Sequence, residues 1–258
     1  MSKRSATTES WKLKKEEVMK VLITSGGTKV KIDRVRSISN MSRGTFGSQI
    51  APRFLFNDWD VDFLAARDSR TPFDFKRVED LKGTIELGKW ENAYPFSSKA
   101  RIRITPYTTF DEYEQELFRL LDENKYDAVV LAAAVSDYGV ANYVDRKIHS
   151  SEEMSIELKP LPKLISRVKE HSNTYLVGFK LMVDSTTEEL RDAMEKSFRK
   201  NCLNMIVGND LRDIKQDNHT LTIGTLKKGK LVFEVYCKNE CSLPETLVSK
   251  IIKGVEEQ

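Results

Sequence analysis

The sequence predicts an α/β fold built on a doubly wound, mostly parallel β-sheet. Apolar segments of strand length alternate with amphipathic segments of helix length along most of the 258 residues. Segment 127–135 is almost wholly apolar, which is typical of a central parallel strand buried on both faces. Alternating strands and helices favour a sheet covered by helices on both faces. Ligands of such sheets bind beyond the carboxyl ends of the strands, so functional residues should directly follow strands.

The predicted elements begin with a strand over 21–24 that ends in the turn-forming residues Ser25-Gly26-Gly27. A helix over 44–56 follows, although Pro52 in its interior would remove one backbone hydrogen bond. Segment 67–99 has no clean periodicity and is broken by prolines and glycines. The other predicted strands are 61–65, 101–107, 127–135, 175–179 and 204–207, and the other predicted helices before residue 220 are 109–124, 162–170 and 185–200.

The C-terminal part is predicted to contain a β-hairpin over 221–236 that turns at Lys228-Gly229, followed by a last amphipathic helix. Helix starts are marked by capping residues, Thr109 with Glu112 and Ser185 with Glu188.

Composition narrows the class of protein. Forty-two Lys and Arg stand against 39 Asp and Glu, a balance that does not favour nucleic-acid binding. No apolar run approaches the roughly 20 residues of a membrane span, and 1–17 lacks the apolar core of a secretory signal. The three cysteines favour neither a disulfide framework nor a zinc site. We therefore expect a cytoplasmic protein with a polar extension over 1–20 and a single domain over 21–258.

The first candidate site is the stretch Ser37-Ile-Ser-Asn-Met-Ser-Arg-Gly-Thr-Phe-Gly47. It leads into a predicted helix, whose free N–H groups and positive end can hold phosphate. Asn40 and Ser42 add neutral donors, and Gly44 permits close approach. An ordinary glycine-containing helix start fits this stretch equally well.

The second candidate site is Ala132-Ala-Ala-Val-Ser-Asp-Tyr-Gly139, at the end of the most buried predicted strand. The small side chains of Ala133 and Ala134 would let a ligand approach the backbone, and Asp137 stands where a carboxylate could orient one. A packed strand end capped by a turn-forming aspartate is the alternative.

Three lysines are further candidates, for contacts to phosphate. Lys147 lies ten residues beyond Asp137, and Lys196 and Lys200 share a helix face through their i, i+4 spacing. Glu195 and Arg199 lie nearby. The spacing alone therefore favours an ordinary charged surface over a phosphate site.

Two rival functions remain at this point. A short-chain NAD(P) oxidoreductase would use Tyr143-Val-Asp-Arg-Lys147, the Tyr-x-x-x-Lys spacing that places both side chains on one helix face. The turn Gly26-Gly-Thr-Lys-Val-Lys31 lacks the third glycine of the dinucleotide fingerprint, which counts against it. The other rival is a nucleotide-binding module without catalytic activity.

Several motifs together resemble the phosphopantothenoylcysteine synthetases, over nearly the whole length from Val21 to the last helix. The resemblance is closest to the stand-alone members, because no flavin-dependent decarboxylase half precedes it in this sequence. The matching motifs are Thr24-Ser-Gly-Gly-Thr28, Ile32-Asp-Arg-Val-Arg36, Asn40-x-Ser42-x-Gly44-x-x-Gly47, Ala133-Ala-Val-Ser-Asp137, Lys147-Ile148, Gly178-Phe-Lys180 and Gly208-Asn-Asp210.

The resemblance implies a Rossmann-like sheet with a C-terminal β-hairpin and a dimerisation subregion, in a homodimer. It implies that 4′-phosphopantothenate is activated by CTP or ATP, with Mg²⁺ carried by the triphosphate and no metal-binding side chain. L-Cysteine then attacks the phosphopantothenoyl nucleotide. The hairpin and segment 67–99 are the least anchored parts of the chain and are candidates for the dimer interface or for a lid. CTP is the preferred nucleotide. His149-Ser150 after Lys147-Ile148 and the Phe179-Lys-Leu stretch depart from the bacterial pattern, which leaves ATP open.

The resemblance also implies residue roles. Asn40 would act on the acyl intermediate, Lys147 would assist formation of the acyl nucleotide, and Asp137 would take part beside the nucleotide. The residues implied in nucleotide or substrate binding are Gly26, Gly27, Ser42, Gly44, Ala133, Ala134, Phe179, Lys196 and Lys200.

Overall fold

The structure is a computed structural model that describes residues 18–72, 85–87, 100–149, 153–215 and 218–258. Most of the predicted N-terminal extension and most of segment 67–99 lie outside these residues.

A nine-stranded sheet forms the centre of the described part of the chain. Its strands, with those of two small two-stranded sheets, are β1 (Lys20–Ser25), β2 (Lys29–Lys31), β3 (Ser37–Ser39), β4 (Asp60–Ala66), β5 (Ile85–Leu87), β6 (Ile102–Tyr107), β7 (Ala128–Leu131), β8 (Tyr138–Val140), β9 (Leu158–Pro160), β10 (Tyr175–Met182), β11 (Met205–Asp210), β12 (Thr220–Lys227) and β13 (Lys230–Cys237).

Six strands of the large sheet are parallel and stand in the order β6-β4-β1-β7-β10-β11. Counted along the chain this is the order 3-2-1-4-5-6 of a doubly wound fold, so the predicted fold class is confirmed. The direction of winding reverses between β1 and β7. A ligand site is expected beyond the carboxyl ends of these two strands.

Antiparallel strands complete both edges of the sheet. β5 pairs with β6 at one edge, and β12 and β13 form a hairpin beside β11 at the other. The hairpin turns at Lys228 and Gly229, which have φ angles of 50° and 76°. Two successive positive φ values match the right-handed twist of a tight two-residue hairpin, as the sequence predicts.

Helices cover both faces of the sheet. One face packs against α1 and α6, and the opposite face packs against α2, α3 and α4. Their bounds, with that of the short α5, are α1 (Thr45–Phe56), α2 (Phe110–Glu123), α3 (Val168–His171), α4 (Thr187–Lys200), α5 (Leu211–Lys215) and α6 (Leu243–Glu256), and a 3₁₀ turn, Leu164–Arg167, precedes α3. Within the described helices, none is long and apolar enough to cross a membrane.

Side chains of the parallel strands alternate between the two cores. In β1, Val21 and Ile23 face α1 and α6, whereas Leu22 faces α2, and all three are fully buried. This alternation follows from the two-residue period of a strand. It explains why the central strands are apolar at every position.

Several predicted boundaries are wrong. The helix predicted over 162–170 is instead the 3₁₀ turn Leu164–Arg167 followed by the short α3, and the strand predicted over 175–179 continues to Met182. The strand predicted over 127–135 ends at Leu131, because the following residues bond to the loop after β1 instead of continuing the sheet. The cap of α4 is Thr186 with Glu189, a complete capping box one residue later than predicted. Pro52 does lie inside α1, buried in the core, and the helix continues past it.

Candidate functional site

The loops that follow β1 and β7 meet at the point where the winding reverses. Gly27 and Ala134 form an isolated parallel bridge. The Ala134 N–H donates to the Gly26 carbonyl at 2.8 Å, and the Thr28 N–H donates to the Ala134 carbonyl at 3.2 Å. The structure therefore brings together the glycine turn and the alanine segment that the sequence singled out separately.

Two threonine hydroxyls join these loops further. Thr24 Oγ1 accepts from the Ala133 N–H at 3.2 Å, and Thr28 Oγ1 accepts from the Ser136 N–H at 2.9 Å. The N–H groups of Ala133 and Ser136 are thus occupied within the protein. Ala133 contributes a closely packed backbone to the site rather than a hydrogen-bond donor for a ligand.

Gly27 lies against the chain on the other side of this junction. A Cβ atom at Gly27 would lie 2.8 Å from the backbone oxygen of Asn40. Only glycine permits this approach without a shift of the backbone. Gly27 therefore sets the position of Asn40 relative to the loop after β1.

Helix α1 begins beside these loops with no side-chain cap. Its N-cap is Gly44, with φ 66° in the left-handed region, and its first turn contains no acidic residue. The Ser25 hydroxyl donates to the Gly44 carbonyl at 3.1 Å, and Ser42 Oγ lies 3.5 Å from the Gly44 nitrogen. Uncapped N–H groups and the positive helix end make this start suitable for a phosphate group.

Asn40 reaches from the end of β3 to the alanine segment. Its side-chain Nδ2 donates to the Ala134 carbonyl at 3.0 Å, and the residue is exposed. The amide thus lies at an open surface between the loop after β7 and the start of α1. This is the position in which a neutral donor can meet a bound ligand.

Asp137 lies three residues beyond Ala134 and forms an ion pair with Lys163. Both side chains are more than half exposed, and the Asp137 carbonyl accepts from the Leu161 N–H at 2.9 Å. The carboxylate is therefore near the alanine segment but already has a cationic partner. The sequence did not identify Lys163 as that partner.

Lys147 is exposed and lies in an irregular segment, 141–149, rather than on a helix. The Tyr143 hydroxyl donates to Asp145 at 3.1 Å instead of standing one helical turn from Lys147. The helix-face geometry that a short-chain oxidoreductase requires is absent from this segment, which removes the main argument for that rival.

The segment that carries Lys147 docks against the turn between β2 and β3, whereas Asn40 follows β3. The Ile148 N–H donates to Asp33 Oδ2 in that turn at 3.1 Å, and residues 37–39 connect the turn to Asn40 along the chain. The role of Lys147 at the site stays a prediction.

The structure does not bring Lys196 and Lys200 to these loops. Both are exposed on the last turns of α4, which leads into Leu203 and Asn204. The Asn204 N–H donates to the Leu176 carbonyl at the beginning of β10. This contact lies at the amino ends of the parallel strands, whereas the site lies beyond their carboxyl ends. Their role in nucleotide binding stays a prediction.

Phe179 belongs to a row of three rings at the carboxyl edge. Phe46, in the first turn of α1, packs edge-on against Phe179 at 6.0 Å and against His219 at 5.9 Å between ring centres. The Asn209 amide lies 3.4 Å from His219 Nε2. Burial, reinforced by the charge of Lys238, lowers the pKa of His219. Both effects favour the neutral form of the imidazole.

Sequence reasoning missed Phe46 and His219 as members of this row. The motif containing Phe46 draws attention to its small polar residues and glycines, and His219 is an isolated histidine with no spacing signal. The contact depends on the start of α1 meeting the beginning of β12, which no local pattern encodes.

Asp210 ends the motif Gly208-Asn-Asp210 and anchors the loop before α4. It accepts from the Ser185 N–H and hydroxyl, both at 2.8 Å, and from the Arg212 N–H at 2.9 Å. These bonds, that of the Ser185 N–H first, lower the pKa of Asp210 to about 2. Ser185, predicted as a helix cap, instead bonds to Asp210.

Among the residues that the structure describes, no group of three or more His, Cys, Asp or Glu side chains could hold a metal ion. A metal ion that accompanies a nucleoside triphosphate would be bound chiefly by the phosphates.

The strand order, the joined loops after β1 and β7 and the uncapped helix start define a doubly wound α/β protein with a candidate anion site at its switch point. The family model described as the DNA/pantothenate metabolism flavoprotein C-terminal domain matches residues 17–88 and 94–254. The chain belongs to this family, and the family resemblance seen in its motifs is confirmed.

Named relatives agree with this assignment. The chain is 32% identical over 210 residues to the coenzyme A biosynthesis bifunctional protein CoaBC of Thermococcus kodakarensis, covering 81% of this chain and 45% of the relative. It is 29% identical over 222 residues to the phosphopantothenate–cysteine ligase CAB2 of Saccharomyces cerevisiae, covering 68% of this chain and 60% of that protein. The matched regions thus span about half the length of these relatives.

Solved structures share the fold. The DNA/pantothenate metabolism flavoprotein from Streptococcus pneumoniae superposes with a TM-score of 0.69 at 27% identity, covering 93% of this chain and 99% of the other. A Cab2 mutant in complex with phosphopantothenate-cysteine superposes with a TM-score of 0.73 at 23% identity, covering 93% and 87%.

Proposed function

We propose that the chain ligates 4′-phosphopantothenate to L-cysteine through a phosphopantothenoyl nucleotide, with release of pyrophosphate and a nucleoside monophosphate. The observation that carries the proposal is the contact between Asn40 and Ala134 beside the uncapped start of α1. It puts a neutral amide donor next to a phosphate-binding helix end. The names of the ligase relatives and of coenzyme A biosynthesis proteins support the same reaction.

In the first step, a carboxylate oxygen of 4′-phosphopantothenate attacks the α-phosphorus of the nucleotide, and pyrophosphate leaves. The start of α1 would hold a phosphate group through its first-turn N–H groups. Lys147 would offset phosphate charge through a charge-assisted contact. A Mg²⁺ ion would arrive with the triphosphate and neutralise part of its charge.

In the second step, the amine of cysteine attacks the acyl carbon, and the nucleoside monophosphate leaves. The carbonyl oxygen gains negative charge in the tetrahedral state, so a preorganised donor lowers the barrier. Asn40 is suited to this role because its amide is already oriented by Ala134. Asp137, balanced by Lys163, would lie beside the nucleotide.

CTP is the proposed nucleotide, with ATP as the alternative. Phe46, Phe179 and His219 form a row of aromatic rings, and the neutral form of His219 is favoured. Uncharged rings of this kind suit contact with a nucleotide base. Comparison of kcat/KM for CTP and ATP decides between them, and a preference for ATP would reverse the choice.

The proposal includes a homodimer in the cytoplasm, as the family resemblance implies. Large apolar side chains are exposed on the two small sheets beyond the carboxyl edge. On β2–β3 and β8–β9 and next to them these are Val35, Ile38, Met41, Tyr138 and Leu158. Exposed apolar groups of this kind are typical of a protein interface. We take these sheets as the proposed contact between subunits, and the C-terminal hairpin, which also exposes Leu226 and Val235, is the alternative.

The test is pyrophosphate release with 4′-phosphopantothenate, cysteine, Mg²⁺ and either nucleotide, with each substrate omitted in turn. Release that requires 4′-phosphopantothenate, and product formation that requires cysteine, support the ligase. Nucleotide binding without pyrophosphate release would instead support the module without catalytic activity.

A further inference from the structure

Asp33 is a buried carboxylate in the turn between β2 and β3, and its side chain is wholly shielded from solvent. Its Oδ1 accepts from the N–H groups of Val35 and Arg36, both at 2.7 Å, and its Oδ2 accepts from the Arg36 guanidinium at 2.9 Å. These bonds lock the turn. They leave Oδ2 directed at a segment more than 100 residues away in sequence.

That segment is the one that carries Lys147. Asp33 Oδ2 accepts from the Ile148 N–H at 3.1 Å, and both terminal nitrogens of Arg36 donate to the Ile148 carbonyl at 3.2 Å. The N–H and the carbonyl of Ile148 are therefore both hydrogen-bonded to one ion pair, in which Asp33 is buried and Arg36 is partly exposed. Lys147 is the residue immediately before Ile148.

The other contacts of the segment to this turn are weaker. The Val144 N–H donates to the Ile32 carbonyl at 3.3 Å. Arg34 and Asp145 form a bidentate pair, but both side chains are about two-thirds exposed. Exposed ion pairs contribute little to holding a geometry, since water and salt screen them. The hydrogen bonds of buried Asp33 and partly exposed Arg36 to Ile148 are thus the main restraint on residues 144–148.

The charge of Asp33 is stable over the working range of pH. The Ile148 N–H, ahead of those of Val35 and Arg36 and the charge of Arg36, lowers the pKa of Asp33 to about 2, although burial opposes the shift. The carboxylate therefore stays ionised at neutral pH and keeps accepting these bonds.

We propose that Asp33 is a positioning residue that holds Lys147 in place for formation of the acyl nucleotide. It acts through the backbone of Ile148 and touches no substrate. The inference rests on the proposed role of Lys147 in that first step. It predicts that loss of the hydrogen bonds from Asp33 and Arg36 to Ile148 slows the first step selectively, since the cysteine step depends on Asn40.

The test compares Asp33→Asn with Asp145→Asn, which removes a carboxylate from the same docked segment at an exposed site. Single-turnover pyrophosphate release without cysteine measures the first step, and a cysteine chase of the accumulated intermediate measures the second. We expect Asp33→Asn to slow the first step on the order of 10- to 100-fold, the effect of a misplaced catalytic group. The second step should change little, and Asp145→Asn should resemble the wild type in both.

Both steps are measured on one preparation, so partial unfolding lowers them equally and leaves their ratio unchanged. If Asp33→Asn yields no folded protein, Arg36→Lys removes the paired contact to the Ile148 carbonyl while keeping the charge. Equal slowing of both steps in the folded variant, or no slowing, would overturn the inference.

Lys147→Gln separates this inference from the function on which it rests. If Lys147→Gln slows the first step, adding Asp33→Asn should cost little more, because the two residues act as one unit. Full additivity in the double variant would show that Asp33 does not act through Lys147. An unchanged first step in Lys147→Gln would refute the role of that lysine and the inference with it.

Discussion

The side-chain amide of Asn40 donates to the backbone carbonyl of Ala134 at 3.0 Å, across 94 residues of sequence. This bond joins the segment before α1 to the loop after β7, the two candidate sites of the sequence. The two candidate sites therefore form one surface. The start of α1 lies on one side of it and the backbone of the alanine segment lies on the other.

Replacement of Asn40 by Asp should block the second step of the proposed reaction. The new carboxylate cannot donate to the developing oxyanion, which should cost ~3–4 kcal/mol, roughly 10²–10³-fold in rate. Rapid quench and mass spectrometry should show that the phosphopantothenoyl nucleotide forms but is hardly passed to cysteine. The matched control is Asn57→Asp, because Asn57 also donates its amide to a backbone carbonyl, at the other end of α1. Consumption of the intermediate at the wild-type rate in Asn40→Asp would leave Asn40 only a structural role.

Replacement of Lys147 by Gln should slow formation of the acyl nucleotide and leave the fold intact, since the side chain is exposed. A charge-assisted contact is worth ~1.5–3 kcal/mol, roughly 10- to 100-fold in rate. Pyrophosphate release in the absence of cysteine measures the effect. Lys125→Gln, an exposed lysine just after α2, is the control and should behave as the wild type.

Replacement of Gly27 by Ala should displace Asn40 and abolish most of the activity. The new methyl group would lie 2.8 Å from the Asn40 carbonyl oxygen, and overpacking of this kind costs ~1–3 kcal/mol of stability. Gly229→Ala is the control: it also strains the backbone, at φ 76°, but no atom lies within 4 Å of its Cβ. Thermal melts should show that both variants are destabilised, whereas pyrophosphate release should fall only in Gly27→Ala. Full activity of a folded Gly27→Ala protein would contradict the assigned close approach.

Acid should destabilise the protein through Asp33 and Asp210. Both have pKa values lowered to about 2, against about 3.9 for an unfolded aspartate. Their contribution to the free energy of unfolding is therefore complete above pH ~4 and is lost as the pH falls towards 2. Urea unfolding between pH 7 and pH 2.5 measures this loss. Asp210→Asn should be less stable at pH 7 and less sensitive to acid, whereas Asp192→Asn, an exposed site on α4, should follow the wild type.

The proposed dimer should depend on the small sheets beyond the carboxyl edge. Ile38→Glu places a charge among their exposed apolar side chains and should shift sedimentation towards the monomer. Leu226→Glu changes an exposed leucine of the C-terminal hairpin and should leave the dimer intact. Dissociation by the second variant alone would move the interface to the hairpin, and a monomeric wild type at micromolar concentration would refute the dimer.

Local patterns determined the order and type of most elements. Strand β1 and its turn, helix α2 with its Thr109 cap, and the hairpin turn at Lys228-Gly229 all follow from periodicity, capping and turn chemistry within a few residues. The parallel sheet follows from the same alternation, since strands joined by helices pair in parallel. The motifs after the strands were also visible in the sequence.

Tertiary structure alone decided how those motifs meet. The end of β7 depends on Ala134 bonding back to the loop after β1, and the ring row depends on Phe46 meeting His219. The hydrogen bond from the Ile148 N–H to Asp33 joins residues 115 positions apart. Such contacts are set by which loops the winding of the sheet brings together, and the energy of a buried carboxylate depends on donors that only the folded chain supplies. A local sequence pattern carries no record of these distant partners.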